Sequence, residues 1–196
     1  MTCDSIAAVV IGGGKVGTRK ALALHDAGAT VRVISPDVTG ELVAAASSSD
    51  RLSIEPRAYL GSADLAGVEV VIAATGTDVD LQVGDDARAL HLLVSVASAP
   101  SKGNFTSMAV HRTGTLAIGV SAGSLPRAAG SIRDAIARRF DERYATAISA
   151  CTEVRSAMLA RNGSEAWAIV NESLAGDDFC GRVESGALME ALGPCR

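Results

Sequence analysis

Residues 9–22, VVIGGGKVGTRKAL, limit what this chain can fold into more than any other segment. An apolar run rich in β-branched residues leads into three consecutive glycines and then into a helix-like pattern. Gly12, Gly14 and Gly17 fit G-x-G-x-x-G, a pattern that is weak alone but informative where it joins a buried strand to a helix in a βαβ unit. Because this segment has that context, it predicts a dinucleotide-binding turn in preference to a glycine turn without a ligand.

The three glycines are expected to have different roles at this turn. Gly12 makes the turn itself, Gly14 lets a pyrophosphate approach the backbone, and Gly17 lets the helix pack closely on the strand. The helix would then present its free N–H groups and the positive end of its dipole to the phosphates.

Strands and helices alternate through the first half of the chain. The pattern predicts strands at 6–12, 30–35, 51–56, 69–75 and 92–97, and helices at 15–27, 37–49 and 78–90. This alternation indicates an α/β protein with a Rossmann-type parallel sheet and right-handed crossovers. Two later apolar runs, at 105–110 and 114–121, predict an antiparallel pair or an extension of the sheet. Residues 125–192 are predicted to be helical almost throughout.

Composition argues against several function classes. The formal net charge of −4 is unlike that of a general nucleic-acid-binding protein, which needs a basic surface. No apolar run reaches the length of a membrane span, and the N-terminus lacks the basic segment of a signal peptide. The cysteines, Cys3, Cys151, Cys180 and Cys195, form no Cys-x-x-Cys pair. They indicate neither a metal site nor a disulfide framework, and a reduced, cytoplasmic location is the simplest interpretation.

The segments after the second and fourth strands predict how a dinucleotide would be held. Ser35 ends the second strand and is followed by Pro36 and Asp37, which places a hydroxyl and a carboxylate near an expected ribose. No arginine directly follows Ser35 to receive a 2′-phosphate, which favours NAD over NADP. Thr75 ends the fourth strand, beside the crevice expected at the switch point of the sheet.

Other catalytic patterns are weak. The Tyr-x-x-x-Lys pair of short-chain dehydrogenases is absent, because neither Tyr59 nor Tyr144 has a lysine four residues later. Among the scattered histidines, His111 is notable only because it follows the α/β segment. Ser121 belongs to a small polar loop that could simply cap the next helix. Arg127 and the other arginines of that helix form either a solvated face or a rim that binds carboxylates.

Four segments together resemble the precorrin-2 dehydrogenase family, which includes the N-terminal module of siroheme synthase and its stand-alone relatives. They are VVIGGGKVGTRKALALHDAGATVRVISPDV, VIAATGTDVD, VSVASAPSKGNF and GTLAIGVSAGSLPRAAGSIRDAIARRF, in this order over residues 6–140. The resemblance implies NAD⁺-dependent oxidation of precorrin-2 to sirohydrochlorin, on the route to siroheme or cobalamin. It also implies a homodimer with an NAD-binding Rossmann domain (1–110), a dimerisation region (111–140) and a small C-terminal helical domain (141–196).

The resemblance also implies roles for individual residues. Cofactor contacts are expected from the glycine turn, the end of the second strand and the crevice, namely Gly12, Gly13, Gly14, Lys15, Val16, Ser35, Pro36, Asp37 and Thr75. The tetrapyrrole substrate carries many carboxylates, so Ser121 and Arg127 are expected to bind it. Ser98 and His111 are the candidate catalytic residues, and no resident metal is expected.

The loop after the fifth strand departs from the family pattern. Bifunctional members, which also insert iron or cobalt, carry Asn-x-x-Asp-x-Pro there, whereas this chain has SVASAP at 95–100. Ser98 therefore replaces the family's candidate acid/base. A serine hydroxyl cannot exchange a proton near neutral pH without an adjacent base, so we expect a dehydrogenase without chelatase activity.

Two alternatives stay open. A bifunctional dehydrogenase and ferrochelatase would need another acid, for which Asp78 and His111 are the candidates. A non-enzymatic NAD-sensing module would keep the glycine turn. Such modules usually place an acid at the end of the second strand, where this chain has Ser35.

Overall fold

The structure, a computed structural model, describes residues 5–123, 125–174, 176 and 178–192. Two of the cysteines considered above, Cys3 and Cys195, lie outside these residues. The chain divides into two compact units, Met1–Ser107 and Met108–Arg196.

The first unit contains a parallel sheet flanked by helices. Its strands are β1 (Ala7–Gly13), β2 (Thr30–Val38), β3 (Leu52–Glu55), β4 (Val70–Ala73) and β5 (Leu93–Val96), and its helices are α1 (Lys15–Asp26), α2 (Gly40–Ser47) and α3 (Val79–Ala89). The strand order is β3-β2-β1-β4-β5, and each neighbouring pair is parallel. These elements confirm the predicted Rossmann-type fold.

Both faces of the sheet are buried, which explains the nearly continuous apolar runs in its strands. In β1, Val10 belongs to one core cluster with Ala21 of α1 and Leu42 of α2. Its neighbour Val9 belongs to the cluster on the opposite face, with Val83 of α3. Successive side chains of a strand point to opposite faces, so this short strand supplies both cores.

Two glycines of the turn are required by close backbone packing. Gly12 has φ +112°, and a Cβ there would lie 2.4 Å from the carbonyl oxygen of Ala74. A Cβ on Gly17 would lie 1.9 Å from the carbonyl oxygen of Gly12. Side chains at either position would therefore separate α1, the end of β1 and the segment after β4.

The sequence predicted that β2 ends at Ser35, but the strand extends to Val38. The ladder between β1 and β2 changes register at this point: Ile11 pairs with Ile34, and Gly13 then pairs with Val38. This long-range pairing keeps the chain extended beyond Ser35. Local sequence carries no signal for it, because the shift depends on how closely Gly13 approaches β2.

An ionic cluster holds the connection between β3 and β4. Arg57 donates to both carboxylate oxygens of Asp64, at 2.7 and 2.9 Å, and Asp64 also accepts from the backbone N–H of Leu60 at 2.8 Å. The hydrogen bond from Arg57 is the main cause that lowers the pKa of Asp64, and burial opposes it. Arg32 donates to the backbone carbonyl of Asp64 at 2.8 Å, which ties the connection to β2.

The second unit combines a hairpin with helices. Its elements are β6 (Ala109–Thr113), β7 (Leu116–Val120), α4 (Pro126–Arg139), α5 (Glu142–Leu174), α6 (Phe179–Ser185) and α7 (Ala187–Leu192). β6 and β7 pair in antiparallel fashion as a separate two-stranded sheet, which was one of the two predicted arrangements. Tyr144, 2% exposed, packs with Val183 and Leu188, and its hydroxyl donates to Glu184 at 2.8 Å. Among the described residues, no helix has both the length and the apolar character to cross a membrane.

Candidate functional site

The carboxyl ends of β1 and β4 form the crevice in which a ligand site is expected. β1 is the central strand, with β2 and β3 on one side and β4 and β5 on the other. Open α/β sheets bind ligands where the strand order reverses in this way. The end of β1 and the segment after β4 pack closely: a Cβ on Gly12 would lie 2.8 Å from the backbone nitrogen of Thr75.

The N-terminus of α1 is free to receive an anion. Gly14 is its N-cap and is exposed, no side chain caps the helix, and its first turn contains no acidic residue. The first backbone bond of the turn runs from the N–H of Thr18 to the carbonyl of Gly14, so the N–H groups of Lys15, Val16 and Gly17 have no partner inside the helix.

Gly14 differs from its neighbours in having no structural need to be glycine. Its φ is −70°, which any residue adopts, and a Cβ there would meet no atom within 4 Å. The space above it is open and lies at the positive end of the α1 dipole. A pyrophosphate fits this space, since free N–H groups and a close backbone are what phosphates bind at helix N-termini.

The end of β2 presents a carboxylate more readily than a hydroxyl. Ser35 is 7% exposed, and its hydroxyl donates to the backbone carbonyl of Asp37 at 2.7 Å. Pro36 and Asp37 are exposed. Gly13 packs beneath them, because a Cβ there would lie 2.6 Å from the carbonyl oxygen of Asp37. Of the two polar groups predicted to meet a ribose, Asp37 has the accessible side chain.

The loop after β4 is held by a carboxylate from α3. Asp80 Oδ1 accepts from the backbone N–H and from the hydroxyl of Thr75, both at 2.7 Å, while Oδ2 accepts from the backbone N–H of Gly76 at 3.2 Å. The Thr75 oxygen in turn accepts from the backbone N–H of Thr77 at 3.2 Å. The side-chain hydroxyl of Thr75 is thus fully used within the loop.

The same carboxylate reaches the loop after β5. The hydroxyl of Ser98 lies 2.8 Å from Asp80 Oδ2, and Ser98 is exposed whereas Asp80 is fully buried. Asp78, the acid that the sequence suggested as an alternative base, is instead exposed at the N-cap of α3. The carboxylate adjacent to Ser98 is therefore Asp80.

Sequence reasoning missed Asp80, although one signal was available. Asp80, Val83, Gly84 and Ala87 are all buried on α3, with the i, i+3, i+4, i+7 spacing of one helix face. An aspartate on the core-facing stripe of a helix predicts a buried carboxylate that needs hydrogen-bond donors.

The rest of the loop after β5 has a structural role. Asn104 lies along the outer edge of β5, accepting from the N–H of Val94 at 2.7 Å and donating to the carbonyl of Leu92 at 2.8 Å. Gly103 allows this close approach, since a Cβ there would lie 2.7 Å from the carbonyl oxygen of Val94. Asn104 thus covers an edge that would otherwise offer unpaired backbone groups.

The other predicted site residues belong to the second unit. His111 lies in β6, and its Nε2 is 2.6 Å from the backbone carbonyl of Phe140, to which it donates. Ser121 follows β7, and Arg127 lies in the first turn of α4; both are exposed. Within the described residues, no group of three or more His, Cys, Asp or Glu side chains could hold a metal ion.

Comparison with known proteins identifies relatives of this chain. A family model for NAD(P)-binding domains matches residues 1–109. Siroheme synthase of Pseudomonas putida is 40% identical over 116 residues, which are 59% of this chain and 25% of that protein. Siroheme synthase of Chromobacterium violaceum is 36% identical over 129 residues, which are 64% of this chain and 27% of that protein. The matches thus span about a quarter of the length of these relatives.

The fold of the whole chain also has a known counterpart. The solved structure of SirC, a precorrin-2 dehydrogenase, superimposes with a TM-score of 0.77 and covers 99% of this chain and 97% of that one, at 22% sequence identity. At this identity the likeness establishes the fold. Together with the siroheme synthase matches, it confirms the resemblance that the sequence motifs indicated.

Proposed function

Because the chain belongs to the NAD(P)-binding family, we propose that it is an NAD-dependent dehydrogenase that oxidises precorrin-2 to sirohydrochlorin. The observation that carries the proposal is the uncapped N-terminus of α1 at the switch point, where Gly14 leaves space for a pyrophosphate. The similarity to a siroheme synthase over 116 residues, and the fold shared with a precorrin-2 dehydrogenase, support the choice of substrate.

The cofactor is held by backbone groups more than by side chains. Gly12 and Gly13 shape the turn, and the N–H groups of Lys15 and Val16 bind the pyrophosphate at the start of α1. Asp37 accepts from a ribose hydroxyl, with Ser35 and Pro36 shaping the wall beside it, and Thr75 lines the crevice. A carboxylate at Asp37 would repel a 2′-phosphate, which favours NAD over NADP.

The chain's part in the reaction is to hold the macrocycle against the nicotinamide ring of the cofactor. Bound NAD⁺ supplies the hydride acceptor, and the products are sirohydrochlorin, NADH and one proton. Positioning of reactants accounts for much of the barrier reduction in such reactions, because the redox chemistry belongs to substrate and cofactor. Ser98, which Asp80 links to the loop after β4, contacts the substrate.

We do not expect chelatase activity, although Asp80 places a carboxylate beside Ser98. A carboxylate has about four lone-pair sites, and Asp80 uses them for Thr75, Gly76 and Ser98. It is also fully buried. It has no free position from which to take a pyrrole proton, so metal insertion lacks a base at this loop.

The second unit and the assembly also take part in the proposed activity. Ser121 and Arg127 bind substrate carboxylates, a role that suits an exposed guanidinium. His111 is the second catalytic candidate, although its ring already donates to the backbone carbonyl of Phe140. The active form is a homodimer that uses the 111–140 region, followed by the helical domain at 141–196. Cys151 and Cys180 are free thiols, which agrees with a cytoplasmic location.

An assay separates this proposal from its alternatives. Purified protein is supplied with precorrin-2 and NAD⁺, and NADH and sirohydrochlorin are followed by absorbance. We expect both to appear only when protein is present. A protein that binds NAD⁺ in calorimetry but produces neither compound would be an NAD-sensing module, and the proposed enzyme activity would be wrong.

A further inference from the structure

Asp80 joins the two loops that border the crevice. Through one carboxylate it accepts from the loop after β4, at Thr75 and Gly76, and from the loop after β5, at Ser98. It is fully buried, so these contacts replace hydration that the group has lost. The carboxylate fixes where Ser98 lies relative to the crevice.

The arrangement also fixes the direction of the Ser98 hydrogen bond. Each oxygen of Asp80 accepts from a backbone N–H, that of Thr75 or that of Gly76, and these groups can only donate. A proton on either oxygen would compete with one of those donors. Asp80 is therefore acceptor-only, and Ser98 donates its single proton to it at 2.8 Å.

An exposed serine normally offers both a donor and an acceptor, but Ser98 offers an acceptor alone. Its O–H donates to Asp80, so only the lone pairs of Oγ are available to a ligand. Such an oxygen repels a carboxylate and accepts from an N–H group. Precorrin-2 carries both kinds of group, with carboxylates on its rim and pyrrole-type N–H groups at its centre.

We propose that Asp80 is a positioning residue that makes Ser98 a hydrogen-bond acceptor for a ring N–H of the macrocycle. The inference rests on the proposed function, since it assumes a tetrapyrrole in the crevice. It assigns Ser98 to recognition of the macrocycle centre, while substrate carboxylates are bound elsewhere. It also explains how a serine can stand at this place without acting as an acid or base.

The test measures equilibrium binding of sirohydrochlorin and, separately, of NAD⁺. Ser98→Ala removes the acceptor and should weaken sirohydrochlorin binding by roughly 3- to 10-fold, the value of one neutral hydrogen bond, with NAD⁺ affinity unchanged. Ser98→Thr keeps the hydroxyl and should bind sirohydrochlorin as the parent does. Because Ser98 is exposed, both variants should fold.

Asp80→Asn tests whether Asp80 acts through Ser98. The amide places a donor in the cluster, so the Ser98 proton turns outward and sirohydrochlorin binding weakens. In the Ser98→Ala background, Asp80→Asn should then cause little further loss of sirohydrochlorin binding, while any effect on NAD⁺ persists. A merely structural role for Asp80 would instead give losses that multiply.

The outcomes separate the inference from the function on which it rests. If the parent binds sirohydrochlorin and oxidises precorrin-2, but Ser98→Ala binds as tightly as the parent, the inference is wrong and the function stands. Independent effects of Asp80→Asn and Ser98→Ala would overturn it as well. If the parent neither binds sirohydrochlorin nor oxidises precorrin-2, both are wrong. Should Asp80→Asn not fold, the Ser98→Ala and Ser98→Thr pair still decides.

Discussion

At the scale of single residues, the glycine turn contains two glycines that the fold requires and one that it does not. Gly12 and Gly17 are fixed by backbone contacts that a Cβ would break. Gly14 has ordinary φ and open space around it, so the fold itself does not require glycine there. A glycine that the fold does not require, at a helix N-terminus, is expected where a bound phosphate must come close to the backbone.

We therefore expect Gly14→Asp to retain the fold and to lose NAD⁺. The side chain enters open space, but its carboxylate occupies the predicted phosphate position and repels the pyrophosphate. Affinity in calorimetry should fall by at least about tenfold, which corresponds to roughly 1.4 kcal/mol. Gly14→Ala, which adds bulk without charge, is the matched control and should lose less.

The contrast with Gly17→Ala completes that experiment. A methyl group there meets the carbonyl oxygen of Gly12, so this variant should lose thermal stability as well as NAD⁺ binding. If Gly14→Asp bound NAD⁺ as tightly as the parent, the nucleotide site would lie elsewhere.

At the scale of elements, the sequence predicted the features that depend on local pattern and turn chemistry. The order of strands and helices through β5 followed from apolar periodicity, and the glycine turn from its spacing. Interactions between distant segments were not predictable. The extension of β2 to Val38 depends on pairing with Gly13, and the donors that bind Asp80, unlike its burial, depend on two other loops. The role of Asn104 at the edge of β5 is of the same kind.

The ionic cluster between β3 and β4 predicts a pH dependence of stability. Asp64 has a lowered pKa in the folded protein, chiefly because Arg57 donates to it. Its contribution is present above the unfolded pKa, about 3.9, and is lost as pH falls through the lower folded value. Asp64→Asn removes this contribution, so the variant should be less stable than the parent at pH 7.

Urea unfolding across pH measures this effect directly. The stability gap between the parent and Asp64→Asn should narrow as pH falls below about 5, because the parent then loses what the variant already lacks. A gap of equal size at pH 7 and at pH 3 would show that Asp64 contributes by packing alone.

At the scale of the whole molecule, the second unit has apolar surface available for assembly. Met108 and Val110 at the hairpin are 56% and 40% exposed, and Leu125 and Ile132 at α4 are 64% and 47% exposed. A two-stranded sheet is marginally stable alone, so burying its exposed apolar side chains against another surface is favourable.

Sedimentation at micromolar concentration should give a dimer, and Val110→Asp should shift the protein towards monomer. A parent protein that sediments only as monomer would contradict the proposed homodimer.

From the loop after β5 we predict that the protein has no chelatase activity. Sirohydrochlorin with Co²⁺ or Fe²⁺ should be metallated no faster with the protein than without it, because Ser98 donates its O–H to Asp80, a carboxylate that has no free acceptor position. General acid–base catalysis is worth on the order of 10² to 10⁴ in rate, so its presence would be plain in absorbance. Ser98→Asp, assayed in parallel, tests whether a carboxylate at this position restores insertion. Rapid insertion by the parent would make the protein bifunctional and require another base.

The most direct test of an NAD-dependent dehydrogenase compares the turnover of the parent with that of a glycine-turn variant. Parent and Gly14→Asp proteins are given precorrin-2 and NAD⁺, and NADH and sirohydrochlorin are quantified over time. We predict one NADH for each sirohydrochlorin with the parent, and a rate at least about tenfold lower with the variant at subsaturating NAD⁺. Equal rates in the two proteins, or sirohydrochlorin without NADH, would contradict an NAD-dependent dehydrogenase built on this glycine turn.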